Sequence, residues 1–313
     1  MANSPSVAVL DIGSNSIKIL VARRGANGGL ETVLTKSLDA RISAGISSAT
    51  PRLSEEGMQR GYDAVQQLLA LAASHAPAKT VLVATSAVRD AANGHEFRAG
   101  IKARTGHDVR ILTGEEEADG IGRGLTTDAA LSHLRNFYVF DLGGGSLECL
   151  AFHERRIHQA LSLQLGCVRL MERFVADPTQ PLNAASRIAI FEHATRTLKN
   201  SALRFDLAAP AAVGTGGTVA TVRAIIGARD GKMAEETSPI VTTAQLRELL
   251  EQLAPMPLEQ RRQVPGMPPA RADVFPVALA TILAVAEVGD FAKFHHSFYN
   301  LRYGLAAELL KTV

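Results

Sequence analysis

Two stretches of this sequence follow one plan at a fixed spacing, and no other feature restricts the fold as strongly. Val7-Ala8-Val9-Leu10 runs into Asp11-Ile12-Gly13-Ser14-Asn15-Ser16 and then Ile17-Lys18-Ile19-Leu20-Val21. Phe137-Tyr138-Val139-Phe140 runs into Asp141-Leu142-Gly143-Gly144-Gly145-Ser146 and then Leu147-Glu148-Cys149-Leu150. Each is an apolar strand ending in Asp, a Gly-rich turn and a return strand. The offset, 141 − 11 = 130 residues, is about the length of a domain. The chain is therefore expected to be an α/β protein in two similar halves.

Helix and strand alternate between and after the copies. Ser54 is a candidate N-cap for a helix whose face is Met58, Tyr62, Val65, Leu69 and Ala72. Val81-Leu82-Val83 reads as a buried strand, followed by one helix from about Ala87 to Gly106, a strand over Val109 to Leu112 and a helix from Glu115. The second half predicts helices around 185–200, 215–228, 244–254 and 273–287, a strand near 294–298 and a helix from about Arg302. Gly124-Leu125-Thr126-Thr127 loosens the pattern, which sets domains at 1–126 and 127–313, with the final helix able to pack back on the first. Pro255 to Ala270 reads as a mobile surface connection carrying Arg261 and Arg262.

Composition narrows the partners. The 33 Lys and Arg against 31 Asp and Glu leave a net charge of +2, so an anion must be held by a local site and no nucleic-acid partner is expected. Cys149 and Cys167 make neither a disulfide framework nor a metal spacing, and read as packed residues of a reducing compartment. No Lys or Arg precedes Lys18 and the apolar run Phe275 to Ala286 is too short to span a bilayer, so a soluble, cytoplasmic protein without a membrane partner is expected. His295 and His296 are adjacent on a predicted strand and face opposite ways, so no histidine is given a metal.

Three Gly-rich segments, 13–16, 143–146 and 214–218 (Gly214, Thr215, Gly216, Gly217, Thr218), each follow an apolar run. Such turns can aim successive N–H groups at one spot and cradle phosphate oxygens, with Ser14, Ser16, Ser146, Thr215 and Thr218 adding hydroxyls. Asp11 and Asp141 stand immediately before two of them, where their charge would repel a phosphate unless a cation intervened. A hard divalent ion, Mg²⁺ or another such as Mn²⁺, is implied, with Glu148 on the return strand able to approach it. Ser86 opens a predicted helix as a further anion contact, and Arg89 one turn on can clamp a phosphate. Glu115, Glu116 and Glu117 occupy a first helical turn, where the dipole favours acids for structural reasons alone. One of them could equally orient an attacking water, and spacing does not choose among them.

With these pieces in order, the chain resembles the exopolyphosphatase/guanosine pentaphosphate phosphohydrolase (Ppx/GppA) family. The likeness rests on DIGSNSIKILVA at 11–22, ATSAVRDAANGHEF at 84–97, ILTGEEEADG at 111–120, DLGGGSLE at 141–148, LGCVRLMERF at 165–174, GTGGT at 214–218 and LRYGLAAELL at 301–310. It implies two duplicated actin-like, ribonuclease H-like domains of the acetate and sugar kinase/actin superfold, with phosphate loops facing across an interdomain cleft. It also implies Glu117 as the catalytic carboxylate that positions the water, Asp141 and Glu148 at the metal, and Arg89, Ser14, Asn15, Gly144, Gly145 and Ser146 at phosphates. The implied reaction is in-line attack by water on a terminal phosphate, in a protein that pairs as a homodimer. Arg41-Ile42-Ser43-Ala44-Gly45-Ile46 departs from the Leu-Gly-x-Gly of many relatives. The sequence ends at Val313 without the helical extension of longer members, which points to short polyphosphates.

The expected activity is thus exopolyphosphatase, with guanosine pentaphosphate (pppGpp) 5′-phosphohydrolase as the nearest alternative. An ATP-dependent kinase would need an acceptor in place of water. A non-catalytic polyphosphate or alarmone sensor would have no need of Glu117.

Overall fold

In the computed structural model, which describes residues 4–208 and 210–313, contacts divide the chain into two compact units, Met1–Ser132 with Tyr299–Val313, and His133–Phe298. The first contains β1 (Ser6–Ile12), β2 (Ser16–Arg24), β3 (Leu30–Asp39), α1 (Glu55–Ala73), β4 (Lys79–Ala84), α2 (Ser86–Arg89), α3 (Gly94–Thr105), β5 (Val109–Ile111) and α4 (Gly114–Thr126). The second contains β6 (Phe137–Leu142), β7 (Leu147–His153), β8 (Arg156–Leu163), α5 (Cys167–Phe174), α6 (Ala184–Asn200), β9 (Ala211–Thr215), α7 (Gly216–Arg229), β10 (Ile240–Thr242), α8 (Thr243–Leu253), α9 (Leu258–Arg262), α10 (Phe275–Val288) and β11 (Lys293–Ser297). The closing helix α11 (Leu301–Leu309) belongs to the first unit.

The duplication is plain in the sheets. The first has the order β3-β2-β1-β4-β5 and the second β10-β11-β9-β6-β7-β8, so that, read from the hairpin side, both run as hairpin, central strand and two parallel strands. The second adds only β10, antiparallel, at its edge. In each, the repeat strand pairs antiparallel with its return strand and parallel with the strand that follows a helical crossover. Val7, Ala8, Val9 and Leu10 are fully buried, as befits a central strand covered on both faces. The outer strand β3 is half-exposed along its length.

Several expectations change in detail. The predicted helix from Ala87 to Gly106 is two helices, α2 of one turn and α3. The break is built by Asn93, whose side chain both accepts from Leu53 N–H (2.8 Å) and donates to the Leu53 carbonyl (2.9 Å). On α1, Ser54 caps as expected by accepting from Gly57 N–H (3.0 Å), but Met58 and Leu69 are only half-buried. The buried stripe instead runs through Gly57, Gly61, Tyr62, Ala64, Val65, Leu68 and Ala72, because glycines, invisible to an apolar count, let Phe97 come close at Gly61. The strands β3, β8 and β10 and the helix α5 were not expected.

Gly124, read as the start of a loosening, belongs to α4, where Gly120 and Gly124 abut Leu301 and the Asn300 carbonyl beside α11. Pro255 to Ala270 is a built segment rather than a loose connection. It contains α9, and Arg261, 2% exposed, donates to the carbonyls of Ala272, Asp273, Pro178 and Gln180. The apolar run Phe275 to Ala286 is the core helix α10, buried all round against α5, α6, α7 and α8. No described helix is long and apolar enough to cross a membrane.

Candidate functional site

Parallel strands deliver their C-terminal loops to one edge of a sheet, the usual place for a ligand in an open α/β fold. In the first unit, β1, β4 and β5 lie side by side, and their loops carry Gly13–Ser16, then Thr85 with α2, then Thr113 with α4. Thr85 N–H donates to the Ile12 carbonyl (3.2 Å) and Leu112 N–H to the Ala84 carbonyl (2.9 Å), which ties the three loops together. Buried Ser14 and Ser86 meet hydroxyl to hydroxyl at 3.2 Å. Because α2 is a single turn, Ser86 and Arg89 act as side chains here and not through a helix dipole.

The three acids that sequence left equivalent are distinguished by their surroundings. Glu116 completes a capping box with Thr113 and pairs with Arg110 at 2.5 Å, which holds its carboxyl below the usual range, mainly through the Thr113 N–H and then Arg110. Glu115 is exposed. Glu117 is 7% exposed, and its Oε2 accepts from Arg89 Nη1 at 2.8 Å. The same Nη1 donates to the Leu112 carbonyl (3.0 Å), and Arg89 Nε lies 3.6 Å from Asp90. Arg89 and Glu117, separately singled out, are thus one part-buried pair, with Arg89 Nη2 finding no protein acceptor among the described residues.

Both repeats close their Gly-rich turn with the same bond, Gly13 N–H to the Ser16 carbonyl (3.2 Å) and Gly143 N–H to the Ser146 carbonyl (3.0 Å). The N–H groups of Ser14 and Asn15, and of Gly144, Gly145 and Ser146, donate to no protein acceptor among the described residues. Donors left open in a turn are what an anion nest needs.

The strands behind the two turns differ in charge. Asp11 stands opposite Lys18, whereas Asp141 stands opposite Glu148. Asp11 Oδ1 is buried without a hydrogen-bond partner, and burial raises its pKa against the opposing pull of Lys18 and Arg302. Asp141 and Glu148 are two carboxylates on one face of an antiparallel pair, a repulsive arrangement without a cation. Glu148 is 2% exposed and its Oε1 accepts from the Ser162 hydroxyl (2.8 Å). Among the described residues there is no group of three or more His, Cys, Asp or Glu arranged to hold a metal. A pair of carboxylates nevertheless fits Mg²⁺, which typically takes one or two carboxylates and fills its remaining positions with water and substrate phosphate.

The third Gly-rich segment is a strand-to-helix junction. Gly214 and Thr215 end β9 and Gly216 begins α7. The Thr215 hydroxyl donates to the Ser297 carbonyl (3.0 Å) and that of Thr218 to the Leu142 carbonyl (3.3 Å), so neither presents a hydroxyl donor to a phosphate. Gly216, at φ 78°, has no room for a Cβ because the Asp141 carboxylate lies against it, which places that charge beside the N-terminus of α7. The junction is also topologically equivalent to Thr85-Ser86, since 215 − 85 = 130.

Arg271 was missed. Its guanidinium occupies the space over Gly217, and its Nε is buried without a partner. No motif marks it, for it follows the Pro-rich stretch taken as a loose connection. The histidines of β11 divide as alternation requires: His295 lies 6.0 Å from the His133 ring, while buried His296 takes a hydrogen bond from Arg223 at 2.8 Å.

Comparison with known proteins agrees with this arrangement. The family model described as the Ppx/GppA phosphatase family matches residues 20–313. A guanosine-5′-triphosphate,3′-diphosphate pyrophosphatase of Vibrio vulnificus is 31% identical over 98% of this chain and 60% of its own length. One of Aeromonas salmonicida is 31% identical over 99% and 60%. The chain thus spans about 60% of the length of the curated relatives it matches. Among solved structures, an exopolyphosphatase from Cytophaga hutchinsonii superimposes with a TM-score of 0.85 at 23% identity, covering 98% of both chains. The Aquifex aeolicus family member does so with 0.79 at 24%, covering 98% of both. These two likenesses are of fold.

Proposed function

This chain belongs to the Ppx/GppA phosphatase family, and from that premise we propose that it hydrolyses the terminal phosphoanhydride bond of inorganic polyphosphate. The observation that carries the reading is the pairing of buried Glu117 with half-buried Arg89 at 2.8 Å, at the loop edge of the first sheet. A carboxylate so placed can orient a water and accept its proton as the water oxygen attacks the terminal phosphorus. Arg89 keeps Glu117 in place through Nη1 and has Nη2 for a phosphoryl oxygen. The bond from phosphorus to the bridging oxygen breaks, the shortened chain leaves with that oxygen, and orthophosphate is released. In the first unit the open N–H groups of Ser14 and Asn15 are donors for phosphate oxygens, and in the second unit those of Gly144, Gly145 and Ser146 are the same kind of donor.

A divalent cation, Mg²⁺ or Mn²⁺, held at Asp141 and Glu148 would neutralise charge on phosphate oxygens at the turn of the second unit. In the first unit the position opposite Asp11 is Lys18, whereas in the second the position opposite Asp141 is a second carboxylate, Glu148.

Removal of the 5′ terminal phosphate of guanosine pentaphosphate is the second reading, favoured by the names of the Vibrio and Aeromonas relatives. The same residues would serve both substrates. The deciding experiment measures phosphate release with Mg²⁺ from polyphosphates of graded length, guanosine pentaphosphate and ATP, for wild type and Glu117→Gln. Release from polyphosphate that falls about 10²- to 10⁴-fold in the variant supports the proposal. An equal rate in the variant removes Glu117 from the mechanism, and turnover of ATP only with an added acceptor makes the protein a kinase. Cytoplasmic location and homodimeric association follow from the family reading and are tested by cell fractionation and analytical ultracentrifugation.

A further inference from the structure

Each phosphate turn is touched at residue 15 or 145 by an arginine that the reading above leaves without a role, at the Asn15 side-chain oxygen in the first unit and at the Gly145 carbonyl in the second. In the second unit the carbonyls of the turn are taken from behind by the start of α5. Cys167 N–H donates to the Gly143 carbonyl (3.0 Å), and the N–H groups of Val168 (2.9 Å) and Arg169 (3.2 Å) donate to the Gly144 carbonyl. The Gly145 carbonyl accepts from Arg169 Nε at 3.0 Å. In the first unit there is no helix at this place, and the segment after β3 does the work. Ser43 N–H donates to the Ser14 carbonyl (3.3 Å), and the N–H groups of Ala40 (3.2 Å) and Arg41 (2.9 Å) donate to the Asn15 carbonyl. Arg41 Nε donates to Asn15 Oδ1 at 3.2 Å. Residues 15 and 145 are the same point of the repeat, since 145 − 15 = 130.

A peptide unit points its N–H and its C=O in opposite directions. Fastening the carbonyls of a turn on one side therefore aims its N–H groups to the other, and a carbonyl left loose can swing its negative end toward the phosphate. The danger is greatest where the turn is glycine, which has the widest choice of φ and ψ. Both fasteners are themselves secured. Arg169 is 9% exposed, and Gly166 ahead of it sits so close to the Gly144 and Gly145 backbone that a Cβ would not fit. Arg41 is held at φ 39°, an unfavourable conformation for a long side chain, while Arg60 of α1 donates to the carbonyls of Ala40 and Arg41 at 2.9 Å each. Strain kept in place by such a clamp marks a position where the exact direction of the chain matters.

We propose that Arg41 and Arg169 are equivalent positioning residues, each holding the phosphate turn of its own unit with the N–H groups turned outward. The inference rests on the reading of both turns as phosphate nests. It gives a purpose to the 41–46 segment that departs from the family pattern and to the LGCVR stretch.

The test uses Arg41→Lys and Arg169→Lys, which keep charge and stem but lack the planar Nε–H. Hydrogen exchange of the peptides covering 11–18 and 141–148 is measured with thermal stability, and kcat and KM are measured with inorganic tripolyphosphate and Mg²⁺. The expected result is exchange faster by about tenfold, the worth of one hydrogen bond, at the turn-closing Gly13 N–H for Arg41→Lys and at the turn-closing Gly143 N–H for Arg169→Lys. Each variant leaves the other turn unchanged and raises KM more than it lowers kcat. Wild-type exchange in both turns of a folded variant overturns the proposal. Failure of both variants to fold, or exchange that rises in all peptides alike, also overturns it by making the arginines general supports of the fold. If wild type does not cleave tripolyphosphate, the phosphatase reading fails on its own, while the exchange data still decide whether the arginines hold the turns.

Discussion

At the residue scale, the site is built from two contrasting pairs of charges. Glu117 and Arg89 satisfy each other, and Arg89→Ala leaves a buried carboxylate without its cation. That variant is expected to lose about 1–3 kcal/mol of stability by denaturant titration, together with nearly all turnover. The Asp141–Glu148 pair is the opposite case, two like charges across one antiparallel step. Glu148→Gln keeps the acceptor for the Ser162 hydroxyl and removes the repulsion, so the metal-free protein is expected to gain a few tenths of a kcal/mol, up to about 1. The same variant should need about tenfold more Mg²⁺ for half-maximal rate. An unchanged Mg²⁺ requirement would show that the ion is held elsewhere.

At the element scale, the position of Glu117 depends on how closely α4 lies on α11. Gly120, Gly124 and Gly304 form the contact, and a Cβ at Gly124 or Gly304 would run into main chain of the other helix or its cap. Backbone cannot yield as a side-chain tip can, so Gly124→Ala and Gly304→Ala are expected to cost about 1–3 kcal/mol each. Because α4 carries Glu117, the helix shift should also lower kcat, which steady-state rates on the folded variants will show. The same scale explains the misread features. Gly124 looked like a weakening of helix because propensity counts glycine as a breaker, while close helix packing requires it. The helix predicted through residues 90–93 failed because Asn93 bonds to Leu53, a partner 40 residues away that no local pattern reports.

At the scale of the whole molecule, stability should carry the signature of His296. Burial, with Arg223 beside it, lowers its pKa from 6.5 to about 3. The folded value lies below the unfolded one, so between about 3 and 6.5 the unfolded chain binds the extra proton and stability falls as pH falls. His296→Asn should flatten this acid limb by about 1.4 kcal/mol per pH unit, read by denaturant titration across pH. The chain also returns to its first unit through α11, which packs on β1, β2 and α4. Ending the chain before Tyr299 is expected to leave that core uncovered, with a loss of the cooperative unfolding transition of the first unit in calorimetry.

By itself, the sequence determined the duplicated α/β plan, most helices of the second half and the candidate residues of the two phosphate turns. Those features are local: a strand, an Asp, a glycine turn and a return strand leave their mark within a dozen residues, and repetition makes the mark specific. The resemblance to a family added Glu117, which periodicity left equal to Glu115 and Glu116. Only the tertiary structure decided that Glu117 is buried on Arg89, that Thr215 and Thr218 bond to main chain, that Arg271 reaches Gly217 and that arginines 41 and 169 grip equivalent carbonyls or amides. Each of these is a contact between residues distant in the chain, fixed by which strands lie side by side and how near their helices approach. No spacing along the chain encodes that distance.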